Sequence, residues 1–460
     1  MTNYQQLVTV QVGQCGNQVG KEIYDTLSAE ATQSDGTYCD LIWNTFFHQD
    51  TEEGDSEVTS SDPETKTVKR SIHTARAVLV DMEPKVITQV MSEAEKNGVW
   101  RYNPLGSFNK SSGSANNWAY GHSTHGPTSK EAVLDLTRRE VEACDHFGGF
   151  LITLSLAGGT GSGVGTYTTE ILREEYPKSY IVNLPVWPFQ TGEVIIQNYN
   201  AVLSLSHLYQ EADAIMIMEN DQLHTVCNKL LNIKQVSFDD MNKVIAHNVG
   251  NTLLPCHRWR PNSTDTMKRE RVHFFSGIMR HLVPHTNYKM IHFKTIPQMP
   301  STSVAFSSYL WSGLTKHLHQ MLLTDAKIEE GINWNVKIED AGPHRSINRS
   351  LSNVLFARGS ELNKFDPSSF FHPKLYTSWT LKPMMVCTST KTFKKYSKCA
   401  TLLSNSQSAV QPLDKIVSKA YNMYHSGAYL YQYEAHGITR DDFDLSFVQL
   451  EKVIQDYRSL

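Results

Sequence analysis

The chain has 460 residues, 40% of them hydrophobic and 20% charged, and carries a formal net charge of −4. That length suggests roughly two to four domains with ample material for a core, and the charge balance excludes the basic excess or stripe of a nucleic-acid binder. Seven cysteines, at positions 15, 39, 144, 227, 256, 387 and 399 with no CxxC pair, argue against a disulfide frame or zinc site and read as reduced cytosolic thiols.

The opening MTNYQQLVTVQVG lacks a basic region followed by an apolar stretch and a cleavage site. No apolar run approaches the ~18 residues of a membrane span, so a soluble intracellular protein of the cytoplasm is expected. Leu7–Val12, Ala77–Val80, Phe150–Leu156, Tyr180–Val186 and Ala214–Met218 read as buried strands. Most are continuous apolar runs, as parallel strands covered on both faces require. Helical patterns lie between them. Val19, Ile23 and Leu27 recur at helical spacing, and Thr128-Ser-Lys-Glu131 has the form of a capping box ahead of Val133, Leu136, Val141 and Cys144. The alternation predicts an α/β fold on a doubly wound parallel sheet.

Residues 49–66 are acidic and polar with no apolar period and read as an inserted surface loop. Met241, Val244, Ile245, Val249 and Leu253 predict a long helix stopped by Pro255, and residues 257–271 read as loop. Strand and helix signals mix up to about residue 408. Two helical stripes close the chain: Leu413, Ile416, Val417, Ala420 and Met423, then Phe443, Phe447, Leu450, Val453 and Ile454.

All but one of the predicted strands run into polar or glycine residues at their carboxyl ends: GQCGNQ (13–18), Asp81-Met-Glu83, AGGTGSG (157–163) and Glu219-Asn220-Asp221. Open α/β sheets bind ligands there. In LAGGTGSGVG (156–165) the order strand, glycine-rich turn, helix is a recipe for an anion site, because unpaired N–H groups at a helix N-terminus point outward. Glycine lets that backbone approach a phosphate chain and adopt the φ it requires, and Thr160 and Ser162 add hydroxyl donors. The pattern GxxxxGK[ST] fails, since no Lys follows Gly163. GxGxxG also fails, since Gly161, Gly163 and Gly165 alternate after a middle strand. A tight helix–sheet turn with no ligand stays open for a lone glycine cluster. Read singly, Asp81 and Glu83 fit a solvated strand end, Cys15 a small buried residue, and Asn242 a cap-region residue. His281 and His285 have a metal-like spacing, against which Pro284 counts.

GGTGSGVG (158–165), VGQCGNQVG (12–20), VDMEP (80–84) and SANNWAYGH (114–122) together resemble the tubulin family, over nearly the whole chain and including the paired terminal helices. VLVDMEPKVI (78–87), GEVIIQNYN (192–200) and SLSHL (204–208) resemble its delta branch, which is linked to centrioles and basal bodies. The resemblance implies a GTP-binding α/β domain over 1–240, an intermediate α/β domain over 241–408 with the central helix and an inter-subunit loop, and a C-terminal helical hairpin over 409–460, with GTP/GDP and Mg²⁺ as ligands. Carried over position by position, it implies that Gly13, Gln14, Cys15 and Gln18 form the loop at the diphosphate. Asp81 and Glu83 would stand near the γ-phosphate and its Mg²⁺, with Glu83 as metal ligand directly or through water. Ala115 and Asn116 would form the next phosphate-side loop, and Ser155, Ala157, Gly158, Gly159, Thr160 and Gly161 the phosphate-binding signature. Asn220 and Asn242 would read guanine through their amides, with Phe238 stacking on the base in place of the usual Tyr. Gln197 takes the place of a ribose-contacting Glu, with Glu193 one turn earlier as its compensation.

Departures from the family pattern bear on mechanism. Ala157 stands where Gly is usual and is tolerable with a negative φ. The resemblance implies that a neighbouring subunit completes the GTPase site with a loop after the central helix. Where alpha-tubulin has a water-activating Glu there, this chain has Gly277, which can neither orient nor deprotonate water. Asp265 and Glu270, in a lengthened preceding segment, are the candidate substitutes. The end Asp456-Tyr-Arg-Ser-Leu460 carries no acidic tail, so partners acting on such a tail are not expected.

The expected function is a GTP-binding cytoskeletal protein of the centriole or basal body, acting in triplet-microtubule assembly or stability and in ciliogenesis. Its expected partners are other tubulins (alpha/beta or divergent) and centriolar or basal-body proteins, with no nucleic acid and no membrane insertion. GTPase activity is expected to be weak or assembly-dependent at most. The alternative is a self-assembling, filament-forming GTPase that hydrolyses GTP on polymerisation. A dinucleotide-dependent enzyme is disfavoured by the missing fingerprint and by Asn220 and Asn242.

Overall fold

The computed structural model describes residues 4–34, 36–49, 72–192, 194–260, 270–304, 307, 309–340 and 347–460. β1 (Gln6–Val12), buried along its whole length, runs straight into α1 (Gly13–Thr32). The alternation continues through β2 (Ala77–Asp81), α2 (Pro84–Lys96), β3 (Ser107–Asn109), α3 (Gly126–Glu142) and β4 (Phe147–Ser155). It goes on with α4 (Gly165–Glu175), β5 (Tyr180–Trp187), α5 (Gln197–Glu211), β6 (Ala214–Met216), α6 (Asn220–Thr225) and the central α7 (Phe238–Leu253). The rest adds β7 (Cys256–Arg258), β8 (Arg271–Val272), β9 (Met290–Ile296), α8 (Trp311–Thr324), β10 (Ser350–Gly359), β11 (Met384–Ser389) and β12 (Lys398–Ser406). Helices α9 (Val410–His425) and α10 (Arg440–Arg458) close the chain.

One sheet of 13 strands runs β8-β7-β11-β10-β12-β9-β6-β5-β4-β1-β2-β3, with Met218–Glu219 paired to β5 beside that path. From β6 to β3 the pairing is parallel throughout. The order 3-2-1-4-5-6 reverses direction between β1 and β4, which makes that point the topological switch of a doubly wound sheet. β9 joins β6 in parallel, and β12 pairs antiparallel with both β9 and β10.

Alternate residues of the central strands feed two cores. Leu7, Leu79, Leu151 and Leu184 pack with Val19, Ile23 and Leu27 of α1 and Val244, Ile245 and Val249 of α7. Val8, Val78, Phe150 and Ile152 face the other way, toward Leu203 and Leu205 of α5 and the stripes of α9 and α10. Both faces are covered, as the unbroken apolar runs require.

Several boundaries differ from expectation. Thr128 is not a cap: a π-type turn over Tyr120–His125 leads into α3, and the Thr128 hydroxyl donates to the His125 carbonyl at 2.9 Å inside the helix. The run 214–218 is not one strand, because Ile217 N–H turns to the Ile291 carbonyl while Met218 and Glu219 pair with β5. Two ends of the expected 257–271 loop are edge strands, β7 pairing with β8 and β11. The acidic stretch 50–66 lies outside the described residues.

Helix α7 starts at a capping box, Ser237 Oγ accepting from Asp240 N–H at 3.2 Å and Asp240 accepting from Ser237 N–H at 3.0 Å. It ends where Leu254 turns extended before Pro255. Its last carbonyls are taken by Arg358 of β10, 1% exposed, which donates to the Asn251 carbonyl at 3.0 Å and the Pro255 carbonyl at 2.9 Å. The guanidinium thus satisfies a buried helix end and meets the negative end of its dipole. Arg358→Met should lower unfolding stability by roughly 3 kcal/mol, because several carbonyls lose their donor at once. Urea melts of the two proteins check this, and an unchanged midpoint would sink the capping role.

Candidate functional site

A cleft of about 410 Å³ opens at the carboxyl ends of the parallel strands, beside the β1/β4 switch. That volume suits a nucleotide-sized ligand. Gln14, Cys15 and Gln18 enter it from the start of α1, Asp81 and Glu83 from the end of β2, and Ser155 and the 157–161 stretch from the end of β4. Asn220 arrives after Glu219, and Phe238 and Asn242 come from the first turns of α7. Residues separated by more than two hundred positions meet because parallel strands deliver their carboxyl ends to one edge.

The glycines are there chiefly for the protein's own backbone. Gly158, Gly159, Gly161 and Gly163 all have negative φ, so left-handed conformation is not their reason. A Cβ on Gly159 would collide with the Ser114 carbonyl and lie 2.7 Å from the Asn117 nitrogen, and one on Gly163 would strike the Trp118 carbonyl. What comes close is the 114–122 segment. Gly13 is different: its φ is +73°, and a Cβ would sit 2.8 Å from the Gly161 nitrogen. Gly158 has room for a Cβ, whose nearest neighbour would be Asn116 Oδ1 at 3.5 Å. Ala157 keeps a negative φ, so its methyl group is accommodated.

Two helix N-termini point into the cleft. Neither α1 nor the Thr160–Val164 turn that leads into α4 has a side-chain cap, and neither has an acid in its first turn. The N–H groups and dipoles of such uncapped helix starts favour an anion. No Lys or Arg lines the cleft among the described residues. The Ser162 hydroxyl is not available as a donor there, because it bonds the Gly158 carbonyl within its own turn. Thr160 lines the cleft and shares a 3.0 Å hydrogen bond with Ser114, which also meets His125 Nδ1 at 3.0 Å.

At the far side, Asn220 and Asn242 are buried, and neither amide is used by another group among the described residues. The cap of α7 belongs to Ser237, which removes the cap reading of Asn242. Phe238 is 52% exposed on the rim of a polar cleft, a ring face waiting for a planar partner. Two unpartnered amides and a ring fit a purine base with donor and acceptor edges.

Asp81 is 5% exposed, and burial pushes its carboxyl up to about 6. The Met82 and Glu83 N–H groups, at 2.7 and 3.4 Å, oppose that rise, and the nearby Glu83 charge adds to it. A buried acid beside a second acid suits a hard divalent cation.

Three implied residues fall outside this arrangement. Gly13 acts from behind, against Gly161. Gln197 does not line the cleft: it is 1% exposed, donates to the Phe189 carbonyl at 2.7 Å and accepts from Val194 N–H at 3.4 Å. Glu193 lies outside the described residues, as does Asp265. Glu270 is paired with Arg260 at 3.0 Å. His281 and His285 do not form a site, since His281 Nε2 meets the Asn353 carbonyl at 3.2 Å and His285 sits in the following turn. Val86, Gly113, Ser114 and Val186 line the cleft without having been anticipated. Nor was Asn200, whose amide donates to the Asn116 and Ala157 carbonyls, both at 2.8 Å. The signal for Asn200 was faint: an Asn amid the apolar residues of a buried helix.

Gly277 sits far from this cleft. Its turn, Phe274–Met279, abuts the amino ends of the strands: Phe275 stacks on Tyr180 at 5.9 Å and Ser276 bonds Gln5 at 3.0 Å. Strands of this length separate the two edges by roughly 25–30 Å.

Residues 6–228 match the Tubulin/FtsZ family, GTPase domain. Fold and cleft together define an α/β protein of that GTPase class, which binds GTP or GDP. The chain is 44% identical to the tubulin delta chain of Macaca fascicularis over 467 aligned positions, 99% of this chain and 100% of that one. It is 44% identical to the tubulin delta chain of Homo sapiens with the same coverage of each. It is 26% identical to the tubulin beta-2 chain of Emericella nidulans, over 98% of this chain and 94% of that one. The chain belongs to the tubulin family, in its delta branch.

The glycines separate packing from ligand contact. Gly159→Ala should cost roughly 2 kcal/mol by overpacking against Ser114 and Asn117. Gly158→Ala should keep stability within about 0.5 kcal/mol yet weaken guanine-nucleotide binding about tenfold. Thermal melts and nucleotide titrations of the pair check this, and equal behaviour of the two variants would refute the distinction.

Asp81 makes a second test. Its folded carboxyl holds its proton more tightly than an unfolded one, so its contribution is full below pH 3.8 and is lost as pH rises through about 6. In nucleotide-stripped protein, Asp81→Asn should therefore raise stability at pH 7.5, by up to roughly 3 kcal/mol. The same change should reduce the extra stabilisation that Mg²⁺ gives in the presence of GTP. Melting curves in EDTA and in Mg²⁺·GTP read both effects.

Proposed function

We propose that the chain is a GTP-binding component of centriolar and basal-body microtubules, acting in the assembly or stability of triplet tubules and so in ciliogenesis. The observation that carries this reading is delta-tubulin similarity along the whole chain, joined to a cleft at the switch point with base-reading and phosphate-facing ends. The base would lie at Asn220, Phe238 and Asn242, and the phosphates at Gln14, Cys15, Gln18 and 157–161. Asp81 and Glu83 would hold Mg²⁺, which supplies the positive charge that a cleft without Lys or Arg lacks. In this reading 1–240 is the nucleotide domain, 241–408 an intermediate domain and 409–460 a helical hairpin. Other tubulins are the natural end-to-end partners, with centriolar or basal-body proteins at the sides.

The nucleotide would serve as a clamp, since a ligand bound only by the folded state stabilises it by mass action. A second reading, a filament-forming GTPase, draws support from one observation. The Gly277 turn lies at the strand edge opposite the cleft, so in a head-to-tail stack one chain would cover the next one's cleft. Gly277 itself offers no group to activate water.

The nucleotide released by denaturing freshly purified protein separates the readings. The clamp predicts about one equivalent of guanine nucleotide per chain, mostly GTP. Stoichiometric GDP would favour the hydrolysing filament, and no guanine nucleotide at all would refute the site.

A further inference from the structure

Behind the 114–118 loop, on the side away from the cleft, three donors from three separate segments converge. His122 Nε2 lies 2.9 Å from Glu170 Oε2, and His207 Nδ1 lies 2.7 Å from Glu170 Oε1. His122 belongs to the turn before α3, Glu170 to α4 and His207 to α5. One ligand atom from each lies within 4.8 Å of the other two. The indole of Trp118, fully buried, orients both rings: it stacks on His122 at 4.3 Å and 10°, and tilts against His207 at 5.1 Å. The side chains are 17%, 23% and 34% exposed, so solvent reaches the group. Nothing in the nucleotide reading uses it.

We propose that His122, Glu170 and His207 form a binding site for one zinc-like transition-metal ion, with water in the fourth position. Two imidazoles and a carboxylate are a nitrogen–oxygen set suited to Zn²⁺ or Co²⁺. Bonds of about 2.0–2.1 Å at tetrahedral angles put ligand atoms about 3.3 Å apart; Glu170 Oε1 already lies 3.1 Å from His122 Nε2 and 2.7 Å from His207 Nδ1, and the two ring nitrogens, within 4.8 Å of each other, would close on the ion. The Glu170 carboxylate already lies between the two imidazoles, one oxygen against each ring nitrogen, so the donors converge on one point. On binding, each ring would offer the lone pair of its inward nitrogen, any proton there passing to the ring's other nitrogen or to solvent. The ion would staple the turn behind the 114–118 loop to α4 and α5, the helices that carry the glycine-rich turn and Asn200.

The test is independent of the nucleotide. Full-length protein is treated with chelator, returned to millimolar Mg²⁺ with GTP, and titrated with Co²⁺. One equivalent should give the intense visible absorption of four-coordinate, imidazole-ligated Co²⁺, and Zn²⁺ should abolish it. Co²⁺ at an all-oxygen site such as Asp81 and Glu83 would absorb only weakly. Glu170→Gln and His207→Asn should each weaken binding at least tenfold, while His285→Asn leaves it unchanged. His207 is the most exposed ligand, so that variant decides if Glu170→Gln fails to fold. Absence of the band up to about 100 μM Co²⁺, or an undiminished band in His207→Asn, would overturn the proposal.

Discussion

The cleft depends on one buried amide. Asn200, in α5 and fully buried, uses all four of its hydrogen-bonding positions. It donates to the Asn116 and Ala157 carbonyls, both at 2.8 Å, and accepts from Trp118 N–H at 2.9 Å and the Tyr433 hydroxyl at 2.6 Å. Two loops that follow different strands, and the segment between the last two helices, are thereby joined at a single side chain. The joining is needed because Ala115 and Asn116 are held left-handed, at φ 48° and 53°. That conformation costs a non-glycine residue about 1–2 kcal/mol, and it persists only where the surroundings over-determine it. Asn117 adds to the restraint: its N–H bonds the Ser114 carbonyl at 2.9 Å, and its amide reaches the Gln432 carbonyl at 2.9 Å.

What is legible in the sequence follows from the same geometry. The apolar runs of β1, β2, β4 and β5 declare buried parallel strands, and the polar residues that end them declare where a ligand sits. Sixteen of the residues implied by resemblance line one cleft. Less legible are the residues whose role is set by contacts distant in sequence. Gln197 carries the right chemistry for a sugar hydroxyl, yet the Phe189 carbonyl claims it. Thr128 has the right spacing for a cap, yet the preceding turn already carries the helix past it. The glycine-rich stretch shows the limit most clearly. Its composition announces a close approach, but composition cannot say that the approaching group is the 114–122 backbone at Gly159 and Gly163, while Gly158 lines the cleft with room to spare.

The electrostatics of the cleft come from backbone rather than side chains. With no Lys or Arg on its walls among the described residues, its attraction for anions rests on two uncapped helix starts. Partial charges of about half a unit each cannot match the several negative charges of a nucleoside triphosphate. The deficit falls on the side where Asp81 and Glu83 stand, and acids there would repel the phosphates unless a cation intervened. Burial already raises the Asp81 carboxyl, so in the proposed reading a cation arriving with the nucleotide would meet a charge that the fold holds at a cost in stability. Ligand and fold would then be thermodynamically linked at this one buried acid.

The polarity of the sheet sets what the molecule can do beyond its own cleft. Parallel strands place every ligand-facing loop at one edge and the Phe274–Met279 turn at the other, so no chain can present that turn to its own cleft. Any contact between the two edges is heterologous, and heterologous contacts propagate as open stacks unless a different partner ends them. In the proposed stack, whatever covers the cleft would supply or withhold the group that activates water. A chain offering Gly277 at that point would withhold it. Stacked on a neighbour, it would seal the nucleotide in without promoting its hydrolysis, which suits a lasting joint better than a dynamic polymer end.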